Sequence, residues 1–146
     1  IEQAAQEGAI LAGAQPMTDI ASDKGNPDSL QPVVIAIFNS LAASGTLPNA
    51  NQGTCQMPPP VPTHAGLAWT YRIIGCSSAF STDRLVIAIN RGWVSAPGPP
   101  VTVGTIVTIV YPYHWRFNSV IQLLVPGASY AATTQLTESA TVHNQM

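Results

Sequence analysis

Residues 101–113 carry apolar side chains at alternate positions along one face, a spacing typical of an extended strand. One face of this segment carries Val101, Val103, Val107, Ile109, Tyr111 and Tyr113. On a helix these positions would be spread around the whole circumference, whereas on a strand they all point to the same side. A strand with one apolar face must pair with other strands and pack against a second layer. The segment therefore predicts a sheet whose one face is buried.

Three further segments predict strands that belong to the same sheet. Residues 67–74 alternate, with Trp69 and Tyr71 on the apolar face, and residues 85–90 form a nearly all-apolar strand. Residues 130–142 place Leu136, Ala140 and Val142 on one face and threonine and serine on the other. Residues 95–100 contain three prolines, which cannot donate to a ladder, and so predict a loop. We expect four strands, mainly antiparallel, between residues 67 and 143.

The beginning of the chain has helical periodicity instead. Residues 1–15 predict a helix with a face of small residues, namely Ala4, Ala5, Gly8 and Ala12. Residues 30–44 predict a second helix with an apolar stripe, started by an Asp28 cap or by Pro32 in its first turn. An apolar segment near residues 118–125 predicts a short helix, which is either a lid over the sheet or an exposed patch. The expected fold is a single α+β domain, residues 1–146, with helices on one face of the sheet.

Charge is scarce in this chain. Only 8% of the residues are charged, the formal net charge is −2, and 40 Ser, Thr, Asn and Gln residues stand against 12 charged ones. A nucleic-acid partner needs a basic surface, which this composition does not supply. The hydrophobic fraction of 46% excludes a disordered chain. A neutral polar surface of this kind is typical of secreted and cell-surface proteins.

The two cysteines, Cys55 and Cys76, flank a proline-rich segment at residues 57–62. A disulfide between them would close a loop of about 20 residues and stabilise the fold by on the order of 3 kcal/mol. The alternative is a pair of buried free thiols. A metal site needs more Cys or His at ligand spacing than this chain has, and we expect no metal and no cofactor.

Three stretches of the sequence carry a resemblance to a known family. They are Ala-Ala-Gln-Glu-Gly-Ala at residues 4–9, the valine- and threonine-rich residues 103–113 ending in Tyr-Pro-Tyr, and the threonine-rich last strand ending in Val-His-Asn at residues 142–144. In order and in local sequence they resemble the TadE-like family of minor pilins and pseudopilins from bacterial tight-adherence pili. The matched pieces cover about a third of the chain.

The resemblance implies a structural and assembly function in the bacterial cell envelope. The domain would lie in the periplasm or in a pilus, anchored in the inner membrane by a helix upstream of Ile1. Its partners would be other pilin or pilus-assembly subunits. The small face of Ala4, Ala5, Gly8 and Ala12 would allow close helix packing in such an assembly.

Catalysis and glycan binding are the alternatives to this function. Catalysis would use His64, His114 or His143 with a carboxylate such as Glu138, but no nucleophile elbow, phosphate loop or ligand pair accompanies them, so the sequence predicts no enzyme. A carbohydrate-binding adhesin module is the alternative to the pilin hypothesis. Its ligand surface, for surface glycans, would be formed by Trp69, Trp93 and Trp115, which are otherwise core residues. Glu138 interrupts an apolar strand face, either near the rim or in a buried salt bridge to Arg84 or Arg91.

Overall fold

The computed structural model describes residues 1–20, 25–57, 59, 61–77, 84–94, 99, 101–114, 123–125 and 133–144. Within these residues, two α-helices are followed by five strands. The elements are α1 (Glu2–Ala14), α2 (Gln31–Ala43), β1 (Thr63–Ala65), β2 (Ala68–Ile74), β3 (Arg84–Val94), β4 (Val103–His114) and β5 (Thr133–His143). The chain is therefore an α+β fold, as the change from helical to alternating periodicity predicts.

All neighbouring strands are antiparallel, and their order in the sheet is β1-β2-β3-β4-β5. The prediction of four strands is wrong, because β1 adds a fifth. This strand has only three residues and directly follows Pro62, so it is too short to show an alternating pattern in the sequence. The other four strands lie where the alternation predicts them, with ends shifted by a few residues.

The buried face of the sheet is formed by alternate residues of the three central strands. They are Trp69, Tyr71 and Ile73 of β2, Leu85, Ile87 and Ile89 of β3, and Val107, Ile109 and Tyr111 of β4. The apolar stripe of α2 joins the same core, with Val33, Val34, Ile37, Phe38 and Leu41 fully buried. α1 packs against α2, β4 and β5.

Both helices end and begin where local chemistry requires it. α1 stops at Ala14, two residues before Pro16, which cannot continue a helix. A 3-10 turn at Asp28–Leu30 leads into α2, and Pro32 lies in the first turn of that helix, where its missing N–H costs nothing. Gly45 follows the end of α2 with φ +71°, the left-handed conformation that favours glycine.

β5 differs from its prediction in how much of it is covered. Residues 134–139 are all exposed, and partial burial is confined to Ala140 and Val142 on the inner face. α1 explains this, because Gly13 approaches Val142 while Glu2, at the other end of the helix, lines the same open cleft as Leu136 and Glu138. α1 therefore runs parallel to β5 and covers only the second half of the strand.

Two predicted segments fall largely outside the described residues. They are the proline loop at residues 95–100 and the short helix near residues 118–125, of which residues 123–125 are described. Leu123, Leu124 and Val125 are exposed.

Burial of the Tyr71 phenol has a consequence for stability at high pH. Burial raises the pKa of Tyr71 from 10.0 to about 12, and its hydroxyl donates a 3.4 Å hydrogen bond to Asn26 Oδ1. Between pH 10 and 12 the unfolded chain loses this proton while the folded chain keeps it, so stability falls as pH rises through that window. We expect this group to account for a loss on the order of 2 kcal/mol.

Urea unfolding at pH 8 and at pH 11 should detect about 1.4 kcal/mol of this loss, because pH 11 lies midway between the pKa values of the unfolded and folded chains. Tyr71→Phe removes the ionisable group and should lose less stability over the same interval than the wild-type chain. An equal loss in both proteins would assign the pH dependence to other residues.

Candidate functional site

The small-residue face of α1 lies inside the domain. Ala4, Ala5, Gly8 and Ala12 are all buried. A Cβ atom placed on Gly8 would lie 2.5 Å from Ile37 Cδ1 of α2 and 3.4 Å from Val107 Cγ1 of β4. A larger residue at position 8 would therefore have to displace the buried Ile37 side chain where α1, α2 and β4 meet. The close approach that these residues permit joins α1 to its own domain.

A larger residue at position 8 should separate α1 from α2. We expect Gly8→Val to lower the free energy of unfolding by about 1–3 kcal/mol, because inserting methyl groups into a filled core forces neighbours to move. Gln6→Val is the matched control, since position 6 is exposed on the same helix and the new residue is identical. Urea unfolding of both variants tests this. Valine has a higher helix propensity than glycine, so a Gly8→Val variant that is no less stable than Gln6→Val would contradict the predicted packing clash.

A polar groove runs along the outer side of the contact between α1 and α2. Gln3 Nε2 donates a 2.9 Å hydrogen bond to Glu7 Oε1, and Asn39 and Ser40 line the groove from α2. Hydrogen bonds from Gln3 and Ser40 lower the pKa of the Glu7 carboxyl below its usual value. Neutral hydrogen-bond donors therefore stabilise the Glu7 carboxylate in this groove.

An open cleft lies beyond the first turn of α1. It has a volume of about 520 Å³, and its inner-face lining comes from the ends of β4 and β5 that α1 does not cover. The strand residues that line the cleft are Tyr111, Tyr113, His114, Leu136 and Glu138, and Ile1, Glu2, residues 44–46, Pro48 and Ser77 complete the lining. Glu138 is exposed here, which rules out the buried salt bridge considered for it. The cleft combines aromatic rings with two carboxylates.

The structure confirms the predicted disulfide between Cys55 and Cys76, whose Cα atoms are 4.8 Å apart. Both cysteines are buried. Asn49 Nδ2 donates hydrogen bonds to the carbonyls of Ser77 at 2.9 Å and Gly75 at 3.4 Å, so the strand end that carries Cys76 is also held from the segment after α2. The disulfide therefore fixes the start of the proline-rich segment to the end of β2.

The three tryptophans do not form one surface. Trp69 is fully buried between neighbouring strands, which excludes it as a stacking platform for a sugar and corrects that part of the prediction. Trp93 is partly buried on β3, where its Cε3 lies 3.1 Å from the position that a Cβ on Gly104 would take. Trp115 lies outside the described residues. Trp93 lines a small pocket together with Thr141, Val142 and His143. The phenol rings that line the open cleft belong to Tyr111 and Tyr113, which were not predicted as ligand-binding residues.

Arg91 is buried, but not in the ion pair with exposed Glu138 that the sequence offered as one alternative. Arg91 is 0% exposed on β3, and its Nη2 donates a 2.8 Å hydrogen bond to the carbonyl of Gln15, just after α1. Burial lowers the pKa of this guanidinium, and the nearby Asp19 carboxylate opposes that shift. Asp19 Oδ2 in turn accepts a 2.7 Å hydrogen bond from the backbone N–H of Ser29, before α2. Arg91 thus links the segment between the helices to the sheet.

No protein-family model, curated protein or solved structure matches the chain. Of the helices that the structure describes, none is long and apolar enough to cross a membrane.

Proposed function

We propose that this chain is the extracytoplasmic domain of a structural subunit of the bacterial cell envelope, a minor pilin or pseudopilin of a tight-adherence pilus. In this proposal both helices cover one face of the sheet, and α1 continues upstream of Ile1 into a membrane helix. The domain acts by packing against other pilus subunits. It is not an enzyme and carries no cofactor.

The observation that carries this proposal is the way α1 is held. Its small face is buried against α2 and β4 so closely that Gly8 has no room for a Cβ, and Arg91 fixes the carbonyl just beyond its end. A helix packed in this way moves together with the sheet as one rigid unit. In this proposal the rigid connection lets the membrane anchor position the whole domain in the assembly. The sparse charge of the chain also supports the proposal, because subunits with neutral surfaces pack with little electrostatic cost.

The residues upstream of Ile1 in the precursor test this proposal. We expect a positively charged start followed by an apolar span of about 20 residues. Membrane fractionation of cells that make the full-length chain should then place it with the inner membrane or with sheared surface fibres. A secretory leader that is cleaved to release the domain would contradict the anchored version. Assembly should depend weakly on salt, because few charged pairs are available for screening.

The open cleft favours a second candidate function, a cell-surface adhesin module that binds glycans. Tyr113, which is partly exposed, offers aromatic surface, and Glu138 offers a hydrogen-bond acceptor for sugar hydroxyls. Glycan-array binding tests this candidate. Tyr113→Ala should abolish binding, whereas Gln3→Ala, which lies outside the cleft, should leave it unchanged. Binding that survives Tyr113→Ala would place the glycan elsewhere.

A further inference from the structure

β5 forms a long free edge of the sheet. It has eleven residues, it pairs with β4 on one side, and in the described part of the chain no strand pairs with its other side. Residues 134–139 are exposed one after another, so solvent reaches this edge. Natural edge strands are usually protected by prolines, lysines or short length. β5 has neither proline nor lysine and a single carboxylate, Glu138.

One hydrogen bond at the end of β5 shows which residues point their backbone N–H and C=O groups toward β4 and which point them away. The N–H of Asn144 donates to the carbonyl of Val103 at 3.2 Å, and the β4–β5 register continues from there without a bulge. In an antiparallel ladder, alternate residues point their backbone groups at the same neighbour. The residues that point their N–H and C=O groups away from β4 are therefore Gln135, Thr137, Ser139, Thr141 and His143. Pro112, which has no N–H, is opposite Gln135, where β5 requires no donor.

We infer that β5 is the interface with a second copy of this chain, paired antiparallel about a two-fold axis at Ser139. In this register Ser139 is opposite Ser139 of the second copy, Thr137 is opposite Thr141, and Gln135 is opposite His143. All five outward-pointing residues then find a partner, which gives about ten backbone hydrogen bonds. The two sheets become one, and the helix-bearing faces lie on the same side.

The inner-face side chains favour this register. Leu136, a large apolar residue that is 37% exposed, is placed opposite Val142 of the second copy. Glu138 is placed opposite Ala140. A register shifted to centre on Glu138 would set the two carboxylates directly opposite each other, which destabilises a strand pair. The sequence of β5 thus favours the two-fold register centred on Ser139 over the one centred on Glu138.

The opposite edge of the sheet explains why the partner is a second β5. β1 has three residues and follows Pro62, so it offers too little backbone to receive an eleven-residue strand. Head-to-tail addition of copies, β5 onto β1, would leave most of β5 unpaired. A two-fold pair uses the same edge twice and closes on itself.

Cysteine cross-linking in solution tests the register. Directly opposed Cα atoms in a hydrogen-bonded antiparallel pair are about 5.5 Å apart, within reach of a disulfide. Ser139→Cys should therefore form a dimer on mild oxidation. Thr137→Cys is the matched control, because it lies on the same exposed face but is four residues out of register with its own copy. Since both native cysteines are joined to each other, the new thiol is the sole one free in the described residues. Equal cross-linking of both variants, or cross-linking of Thr137→Cys alone, would overturn the register.

Sedimentation equilibrium tests the interface itself. The wild-type chain should approach twice its 15.3 kDa mass with rising concentration. Ser139→Lys places two ammonium groups together and should raise the dimer Kd roughly tenfold or more. Asn39→Lys, an exposed position on α2, should leave the Kd unchanged. A wild-type chain that stays monomeric would refute the inference. The outcome is independent of the proposed function, because a secretory leader upstream of Ile1 would contradict the anchored pilin and leave this dimer intact.

Discussion

Replacing Arg91 with alanine should lower the free energy of unfolding by roughly 3–5 kcal/mol, because it removes a large buried side chain together with its hydrogen bond. The variant loses the 2.8 Å hydrogen bond to the Gln15 carbonyl and the cation that faces Asp19. It also leaves a cavity below the segment between the helices. Urea unfolding measures the loss. Because most domains of this size are stable by only about 5–15 kcal/mol, a large part of the fold's stability depends on this side chain.

Arg72→Ala is the matched control for this prediction. Arg72 is exposed on β2, and its Nη1 donates a 3.0 Å hydrogen bond to Thr63 Oγ1. Its removal should cost less than about 1 kcal/mol, as exposed polar contacts generally do. Arg91→Met keeps most of the side-chain volume and should recover part of what alanine loses. Equal losses in the free energy of unfolding for Arg72→Ala and Arg91→Ala would mean that the buried Arg91 stabilises the fold no more than an exposed arginine does.

Removing the disulfide should lower the free energy of unfolding by about 3 kcal/mol, because the unfolded chain regains the freedom of the segment between Cys55 and Cys76. The double variant Cys55→Ala, Cys76→Ala is the direct test, with urea unfolding as the measurement. Alanine at both positions avoids an unpaired buried thiol. The loss should appear mainly as a lower urea midpoint.

Reduction of the wild-type chain provides the control for the disulfide. A reducing agent should lower the unfolding midpoint of the wild-type protein to near that of the double variant and leave the double variant unchanged. A wild-type protein whose midpoint does not respond to full reduction would contradict the predicted contribution.

Strong periodicity made much of the fold predictable from the sequence. The alternation in β4 and the apolar stripe of α2 each extend over several turns or pleats, so burial of one face determines the secondary structure. β1 was missed because three residues next to a proline carry no measurable period. The exposed half of β5 was missed because α1 covers the strand only near Ala140 and Val142, and the extent of that cover is a tertiary property.

Individual site residues were less predictable. Arg91 continues the inward positions of Leu85, Ile87 and Ile89 along β3, so strict alternation would have placed a charged residue in the core. Such a placement conflicts with the usual exposure of arginine, and only the nearby Asp19 and the Gln15 carbonyl make it acceptable. The cleft was not predictable, because it depends on where α1 begins relative to Tyr111 and Tyr113.

The disulfide also changes how the domain would respond to mechanical tension. When a chain is pulled from its two ends, residues inside a covalent loop do not add to the extended length. The Cys55–Cys76 loop, with a sequence separation of 21, therefore withholds roughly 70 Å of contour length at about 3.4 Å per residue. A domain pulled from its two ends would therefore reach a shorter maximum length than a chain without the disulfide. The proline-rich segment between the cysteines would bear no tension.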